Sequence, residues 1–509
     1  MKVLYFGRRW SLNLFLAILS GIFYGLSFPK FELWFLLPFS IALLIHLSIE
    51  CGPVVPFLSG LSANLILLYW LVPTMTVYGN LSYPFSIILY FILCLYLSFY
   101  WGLFGVISKI FHLKFKNFKF LLIPLSWVSL EYLKGHVFTG FPWALAGYSV
   151  YKIIPVVQIA DITGVYGVSF LLILWGEFIY EIYAFLKSRK FIIPVISSLL
   201  LTSIFTLFSY VYGVQRISFI KNLMNNSEKM KVSLIQGNFE QDIKWSPEYT
   251  DLTMNVYISL SEEAIKKGAE IIVWPETAVP FFYQNDRRYK DRMRNLVLNS
   301  SSALIFGSPA YSREKREILY HNRIYLINQD GEEFYYDKLH LVPFGEYIPL
   351  KKIFKFAKRY VSAMGDMDPG KEIKLLPYKG HLIGGYICYE AIFPELVRLF
   401  KKMGAELFVN ITNDAWFGKT SAPYQHISMA AFRSIENRVW TMRCANTGVS
   451  ALITPYGEIK SPTPIFKRTE VFGEVNFSNV KTFYSTYGDV FACFSLIITI
   501  FFLILTVAI

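Results

Sequence analysis

From Cys51 to Ser108 the chain runs for 58 residues without a single Asp, Glu, Lys or Arg. Two more uncharged runs, 20 residues from Trp10 to Pro29 and 25 from Phe191 to Gln215, repeat the feature. A helix needs about 20 apolar residues to cross the hydrocarbon core, because it alone pairs its backbone groups there without help from water. These runs therefore predict spanning helices near 11–28, 32–49, 54–75, 83–108, 118–135, 163–186 and 191–213, and an eighth from Val490 to Ile509. A cleaved signal peptide is the alternative for the first segment, but no small-residue cleavage site follows it and further spans come directly after.

Charge divides the chain in two. Before residue 214 there are 13 Lys and Arg against 6 Asp and Glu; from there to the end there are 36 and 30. The expected organisation is a seven-helix membrane domain over 1–213, an α/β domain over 214–488 and a closing transmembrane helix over 489–509. The overall charge of +13 then loses its suggestion of nucleic acid, since no basic stretch carries a nucleic-acid module and much of the excess sits between apolar segments. With the N-terminus inside, the cytoplasmic segments hold Lys2, Arg8, Arg9, Lys109, Lys114, Lys116, Lys119, Lys187, Arg189 and Lys190. The opposite loops hold only Lys30, Lys134 and Lys152, a positive-inside bias that places 214–488 outside the cytoplasm. Lys351, Lys352, Lys355, Lys358 and Arg359 alternate with Ile353, Phe354, Phe356 and Tyr360. That pattern suits a helix resting on an anionic membrane surface, or equally a solvated basic helix.

Between the last two apolar segments, strands and helices alternate. Strands are predicted at 231–238, 270–275, 303–308, 381–388, 406–411, 449–454 and 469–476, with helices at 247–268, 287–300, 394–403 and 423–442. A hairpin is predicted over 323–338 about Gln329-Asp330-Gly331. Such alternation argues for a layered α/β sandwich. There is no dinucleotide fingerprint or P-loop; Gly384-Gly385 sits within a strand and lacks phosphate-loop spacing. The seven histidines are scattered, so neither a metal nor a cofactor is expected.

Three short stretches carry residue types suited to one site. Cys388 lies at a strand end before a helix, where helix-terminal amides favour a thiolate; taken alone it is more often a buried apolar residue, or half of a disulfide with Cys444. Glu276 closes Trp274-Pro275-Glu276 at another strand end, where a half-buried carboxylate can act as a base, or simply cap a helix. Lys338 follows the hairpin, a position usually solvated.

Their order, Glu276 in WPET, Lys338 in YDKLHLVPFGEYIP and Cys388 in GYICYE, resembles the Glu–Lys–Cys triad of the nitrilase (carbon–nitrogen hydrolase) superfamily. The apolar segments, the LVPFGE stretch, Asn413-Asp414-Ala415-Trp416-Phe417-Gly418, Gln236-Gly237-Asn238, Trp245 and Thr139-Gly140-Phe141-Pro142-Trp143 resemble its apolipoprotein N-acyltransferase branch. The resemblance implies an αββα sandwich on the periplasmic side of a bacterial inner membrane. It implies transfer of an acyl chain from a phospholipid, through a thioester on Cys388, to the α-amine of an S-diacylglyceryl cysteine on an apolipoprotein. Glu276 would be the base and Lys338 the oxyanion partner; Glu346 would be a supporting acid, Tyr389 and Glu390 would shape the pocket, and Trp245 and Trp416 would line or gate the acyl path. Without the resemblance, the tryptophans read equally as packing or interfacial anchors. Two other readings are a membrane-anchored amidase with water as second nucleophile, and a polytopic transporter or scaffold with a binding domain. An amidase needs one anchoring helix rather than about eight, and a scaffold has no need of Glu276, Lys338 and Cys388 together.

Overall fold

The computed structural model describes residues 2–79, 81–189, 192–240, 244–314, 317–347 and 366–508. The basic, aromatic stretch at 351–360 lies outside the described residues, as does Lys190. The chain divides into two compact units, one of Met1–Val72, Pro84–Ser218 and Tyr487–Ile509, the other of Pro73–Tyr83 and Phe219–Thr486.

The first unit is helical. Among the described residues, four helices are long and apolar enough to cross a membrane: Tyr83–Lys114, Val165–Ser188, Ile192–Asn225 and Val490–Val507. A bent pair, Val54–Leu67 and Leu71–Tyr78, makes a fifth if it counts as one span. The uninterrupted helix expected over 54–75 is thus broken, with a 57° bend. Leu68 leaves the helical conformation, and Pro73 introduces a wide turn over Thr74–Tyr78, as a residue that cannot donate a backbone hydrogen bond does. The helix beginning at Ile192 continues to Asn225, well past the expected end at 213.

Among the described residues, few charged groups are buried in this unit, and most of these find partners there, as an apolar solvent requires. Lys119 on Lys119–His136 pairs with Glu181, both buried. Asp161 accepts hydrogen bonds from Tyr212 Oη at 2.7 Å and Arg216 Nε at 2.8 Å. Glu131 Oε1 accepts from the Ala146 amide at 2.6 Å, and Lys134 donates to the Trp143 carbonyl at 3.1 Å. Close helix approach depends on small residues: a Cβ at Gly176 would lie 2.5 Å from the Ile41 side chain.

Among the described residues, the second unit holds two six-stranded sheets. In the first, β1 (Met230–Gln236), β2 (Ile271–Val273), β3 (Ala303–Glu314), β4 (Glu317–Ile327) and β5 (Glu333–Asp337) lie in sequence order, and β12 (Thr469–Val475) adds to β1. In the second, β6 (Leu375–Tyr378), β7 (His381–Ile387), β8 (Leu407–Thr412), β9 (Thr441–Ala445), β10 (Ala451–Ile453) and β11 (Ile459–Lys460) follow one another across the sheet. β1, β2 and β3 run parallel, as do β7, β8 and β9.

The sheets pack face to face. Val232, Leu234, Val273, Ile305 and Ile324 of one share a buried cluster with Ile383, Val409, Met442 and Ala451 of the other. The alternate side chains of the first sheet, among them Ile272, Trp274, Leu304 and Phe306, bury against helices Thr250–Lys266 and Arg287–Leu298. β7 shows the layering most directly. A Cβ on Gly384 would meet Phe400 of helix Pro394–Lys402 at 2.9 Å, whereas one on Gly385 would meet Ile324 of the facing sheet at 3.0 Å. Adjacent residues of a strand point to opposite faces, so β7 lies between a helical layer and the other sheet, and the order of layers is helix, sheet, sheet, helix.

Two sequence expectations change. The strands expected at 303–308 and 323–328 are the inner parts of a longer antiparallel pair, β3 with β4, whose register runs out to Glu314 opposite Glu317. The helix expected to run to 442 stops at Asn437, where Arg438 takes a left-handed conformation with φ 53°. The chain then re-enters the sheet as β9, every residue of which is buried.

Candidate active site

The site forms where strands end. Glu276 lies three residues beyond β2, Lys338 directly after β5, Cys388 directly after β7 and Asn413 directly after β8. Two of these exits turn through backbone conformations that L-residues seldom adopt: Thr277 has φ 49° and Cys388 has φ 50°. A left-handed residue at a strand end turns the chain sharply and lifts its side chain off the sheet. Gly307 on β3 makes room for the first turn, since a Cβ there would lie 2.8 Å from Glu276 Cα and 2.5 Å from the Thr277 amide nitrogen.

Glu276, Lys338 and Glu346 form one buried cluster. Lys338 Nζ lies 2.8 Å from Glu346 Oε2 and 3.8 Å from Glu276 Oε1. Asn322 on β4 joins the two acids, its Nδ2 donating to Glu276 Oε1 at 2.8 Å and to Glu346 Oε1 at 2.9 Å. The other Glu276 oxygen accepts from the Asn413 amide at 2.7 Å, and Glu346 Oε2 accepts from the Val342 amide at 2.8 Å. Burial alone would lower the Lys338 pKa, but Glu346 and then Glu276 more than offset it, so the group stays protonated well above its ordinary range.

Cys388 is 8% exposed and free, as is Cys444, so the possible Cys388–Cys444 disulfide is not formed. The expectation that helix-terminal amides favour the thiolate is also corrected. Burial, with the Glu276 charge next, pushes the Cys388 thiol up, and Lys338 opposes only part of that. The turn after β7 is a short 3-10 segment, Cys388–Ile392, and the following helix starts only at Pro394. At rest, Cys388 is a neutral thiol within the field of a carboxylate and an ammonium.

The backbone of Cys388 is held from below. His426 Nε2 lies 3.0 Å from the Cys388 carbonyl oxygen, and its Nδ1 lies 3.0 Å from Asp414 Oδ1. Arg443 reaches Asp414 Oδ2 at 2.9 Å and also bonds Asn410. All four side chains are fully buried. Although burial acts to raise it, the Asp414 carboxyl is held down to about 2 by Arg443 and His426.

Glu390 is hydrogen-bonded on both sides of the site. Its side chain is fully buried. Oε1 accepts from Tyr336 Oη at 2.6 Å and from the amides of Leu339 and His340 at 2.8 and 3.2 Å; Oε2 accepts from the Ile387 amide at 2.7 Å. One carboxylate thereby ties the segment after Lys338 to the residue before Cys388. Tyr389 packs edge-on against Phe393, with ring centres 5.1 Å apart, beside His340. Trp416, half-buried in the turn Asp414–Phe417, meets Tyr78 edge-on with ring centres 5.7 Å apart. Trp245 is half-buried, and its indole N–H has no hydrogen-bond partner among the described residues.

Sequence reasoning missed Asn322, His426, Arg443 and Lys244, and it marked Asp414 only as part of the stretch 413–418, with no role of its own. A signal existed for some of them. Asn322 sits within β4 just before the apolar run 324–327, and Arg443 falls in a run whose neighbours are Met442 and Cys444.

The model of the apolipoprotein N-acyltransferase N-terminal domain matches residues 20–178, and that of carbon-nitrogen hydrolase matches 231–484. The apolipoprotein N-acyltransferase of Geobacter metallireducens is 39% identical over 488 residues, covering 94% of this chain and 92% of that protein. That of Pseudomonas putida is 32% identical, covering 92% and 91%. Among solved structures, a member of branch 10 of the nitrilase superfamily from Saccharomyces cerevisiae is similar with a TM-score of 0.39 at 20% identity, over 49% of this chain and 90% of that one. An amidase from Nesterenkonia sp. is similar with a TM-score of 0.38 at 18% identity, over 49% and 91%. With relatives of 39% and 32% identity along nearly its whole length, the chain belongs to the apolipoprotein N-acyltransferase family.

Proposed function

We propose that this membrane protein moves an acyl chain from a phospholipid to the α-amine of an S-diacylglyceryl cysteine at the N-terminus of an apolipoprotein, with Glu276, Lys338 and Cys388 as the catalytic residues. The observation that carries the site assignment is the convergence of these groups at the strand ends. Glu276 and Lys338 lie 3.8 Å apart, and both charges act on the Cys388 thiol.

The chemistry follows from the protonation states. Cys388 starts as a thiol, so its proton passes to Glu276 as the sulfur attacks the ester carbonyl of the phospholipid. The oxyanion of the tetrahedral intermediate forms beside Lys338. That ammonium, held charged by Glu346 and Glu276, stays charged throughout and contributes a fixed positive field; loss of one such donor costs about 3–4 kcal/mol. Collapse breaks the carbon–oxygen bond, Glu276 returns its proton to the leaving alkoxide, and a lysophospholipid departs. The acyl chain remains as a thioester, which is reactive toward amines and divides one hard transfer into two easier ones. The lipoprotein amine then attacks the thioester, Glu276 accepts the amine proton and passes it to the departing sulfur, and an amide and the Cys388 thiol result.

Glu346 keeps Lys338 aimed and charged, Glu390 fixes the two backbone segments that carry Lys338 and Cys388, and Tyr389, Trp245 and Trp416 border the acyl path. Residues 1–213 and 489–509 act as the membrane part, with the shorter apolar helices completing about eight spans, and 214–488 as the catalytic part. The positive-inside bias supports a multi-pass protein of a bacterial inner membrane with its catalytic domain on the periplasmic side. Both substrates are then bilayer lipids reached from the outer leaflet.

The test is incubation of the purified protein with a phospholipid and a diacylglyceryl-cysteinyl peptide, followed by mass spectrometry. The proposal predicts one added acyl chain in amide linkage on the peptide and an equal amount of lysophospholipid. Free fatty acid without amide product would instead identify a hydrolase.

A further inference from the structure

Lys244 has no part in the chemistry above, yet its side chain is almost completely buried, at 2% exposure. Its Nζ donates to the Glu276 carbonyl oxygen at 3.0 Å and to Thr277 Oγ1 at 2.6 Å. These acceptors flank the peptide at which the chain turns through the left-handed conformation of Thr277, φ 49°. For a β-branched residue that conformation is costly and persists only where surrounding contacts impose it. Gly307 crowds the same peptide, so the turn is set between a glycine and an ammonium. Burial lowers the Lys244 pKa to about 7, and the Glu276 carboxylate opposes that fall. Removing an ammonium from water is unfavourable unless its hydrogen bonds compensate, which is a large commitment for a turn that has no other claim on a charge.

We propose that Lys244 is a positioning residue for the base: by holding the Glu276 carbonyl and the Thr277 hydroxyl together, it fixes the turn that directs the Glu276 carboxylate toward Asn322, the Asn413 amide and Lys338. Lys244 touches no reacting atom and acts only through Glu276. The inference therefore rests on Glu276 as the proton acceptor, and its test must separate the two.

The readouts are the rate of carbamidomethylation of Cys388 by iodoacetamide, followed on its peptide by mass spectrometry, and the kcat and KM of acyl transfer from phospholipid, all on the full-length protein in detergent. Glu276→Gln sets the scale, since removing the base slows alkylation. Lys244→Met is expected to slow alkylation and lower kcat by about 10- to 100-fold, the range for losing hydrogen bonds from a charged donor, with KM for phospholipid within about twofold. Thr277→Val should lower both rates by a smaller factor and Thr277→Ser should restore them. The Lys244→Met/Thr277→Val double variant should be no slower than Lys244→Met alone, because both act on one turn. A normal alkylation rate in Glu276→Gln would overturn the base assignment, and the role of Lys244 with it. Slow alkylation in Glu276→Gln with a normal rate in Lys244→Met would overturn the role of Lys244 alone. A rise in KM at unchanged kcat would do the same by making Lys244 a lipid-binding group. If Lys244→Met fails to fold, the Thr277→Val and Thr277→Ser pair decides: equal rates in the two contradict the proposal.

Discussion

Cys388 and Cys444 belong to the same sheet and are both buried thiols, yet only one stands where a reaction can be run. Ile387 of β7 pairs with Ile411 of β8, which pairs with Cys444 of β9. Cys444 is therefore level with the residue just before Cys388. It remains in extended backbone, with its sulfur 3.2 Å from the Val273 carbonyl oxygen and 3.5 Å from that of Ile235. One residue further along β7, Cys388 leaves the strand at φ 50° and enters the fields of Glu276 and Lys338. Burial pushes both thiols up, so burial does not distinguish them. The difference is a strand end where the Glu276 carboxyl group and Lys338 act on the thiol together, against a strand interior where the thiol meets carbonyl oxygens and the Arg443 charge.

The widest separation of the two cysteines should come from paired substitutions. Cys388→Ser should reduce acyl transfer by more than about 1,000-fold, because the hydroxyl is a far weaker nucleophile at its ordinary pKa. Cys444→Ser should leave kcat within about threefold and show instead in thermal unfolding, since it places a hydroxyl in an apolar sheet interior. The next effects belong to the groups that only Cys388 has. Glu276→Gln is expected to cost about 10²–10⁴-fold in kcat, as loss of a general base does. Lys338→Met should cost about 10²–10³-fold, as loss of an oxyanion donor does; a steady-state assay with saturating phospholipid measures both.

Asn322→Leu sharpens the comparison on a smaller scale. It leaves every charge in place but removes the amide that joins Glu276 to Glu346, and about a 10-fold loss of kcat at unchanged KM is expected. The smallest effect concerns stability beneath Cys388. The Asp414 carboxyl is held down to about 2 in the folded protein, against 3.8 for the free group. A depressed carboxylate contributes stability that is complete above the unfolded pKa and is lost as pH falls through the folded value. Asp414 should therefore contribute about 2 kcal/mol at pH 5 and above, and lose it between about pH 4 and pH 2. Thermal unfolding of Asp414→Asn across that range should show a deficit at pH 5 that shrinks toward pH 2.

The placing of Glu276 and Cys388 at strand ends could be read from the chain, because the strand leading to each is a short apolar run, whereas Lys338 follows the mixed strand Glu333–Asp337 and was placed only by the turn sequence Gln329-Asp330-Gly331 before it. Val273-Trp274-Pro275-Glu276 and Tyr386-Ile387-Cys388 show this directly. The glycine pair in β7 was visible as a strand feature, but its meaning, one glycine for a helix and one for a sheet, depends on packing partners distant in sequence. β9 was hidden for a related reason. Residues 438–445 continue the spacing of the preceding helix, and only the left-handed Arg438 separates them. Asn322, His426, Arg443 and Lys244 act through contacts across 12 to 46 residues of sequence, and no local pattern encodes those. In the helical unit, apolar runs marked the helices but not the bend after Leu67, since 54–75 carries no charge to mark it.

The most direct test of the central claim uses phospholipid in the absence of any lipoprotein acceptor, followed by mass spectrometry of the peptides that contain Cys388 and Cys444. A single acyl chain in hydroxylamine-sensitive linkage on Cys388, absent from Cys388→Ser and never found on Cys444, is the predicted result. No adduct on Cys388, or an acyl chain that persists elsewhere in Cys388→Ser while transfer continues, would contradict it.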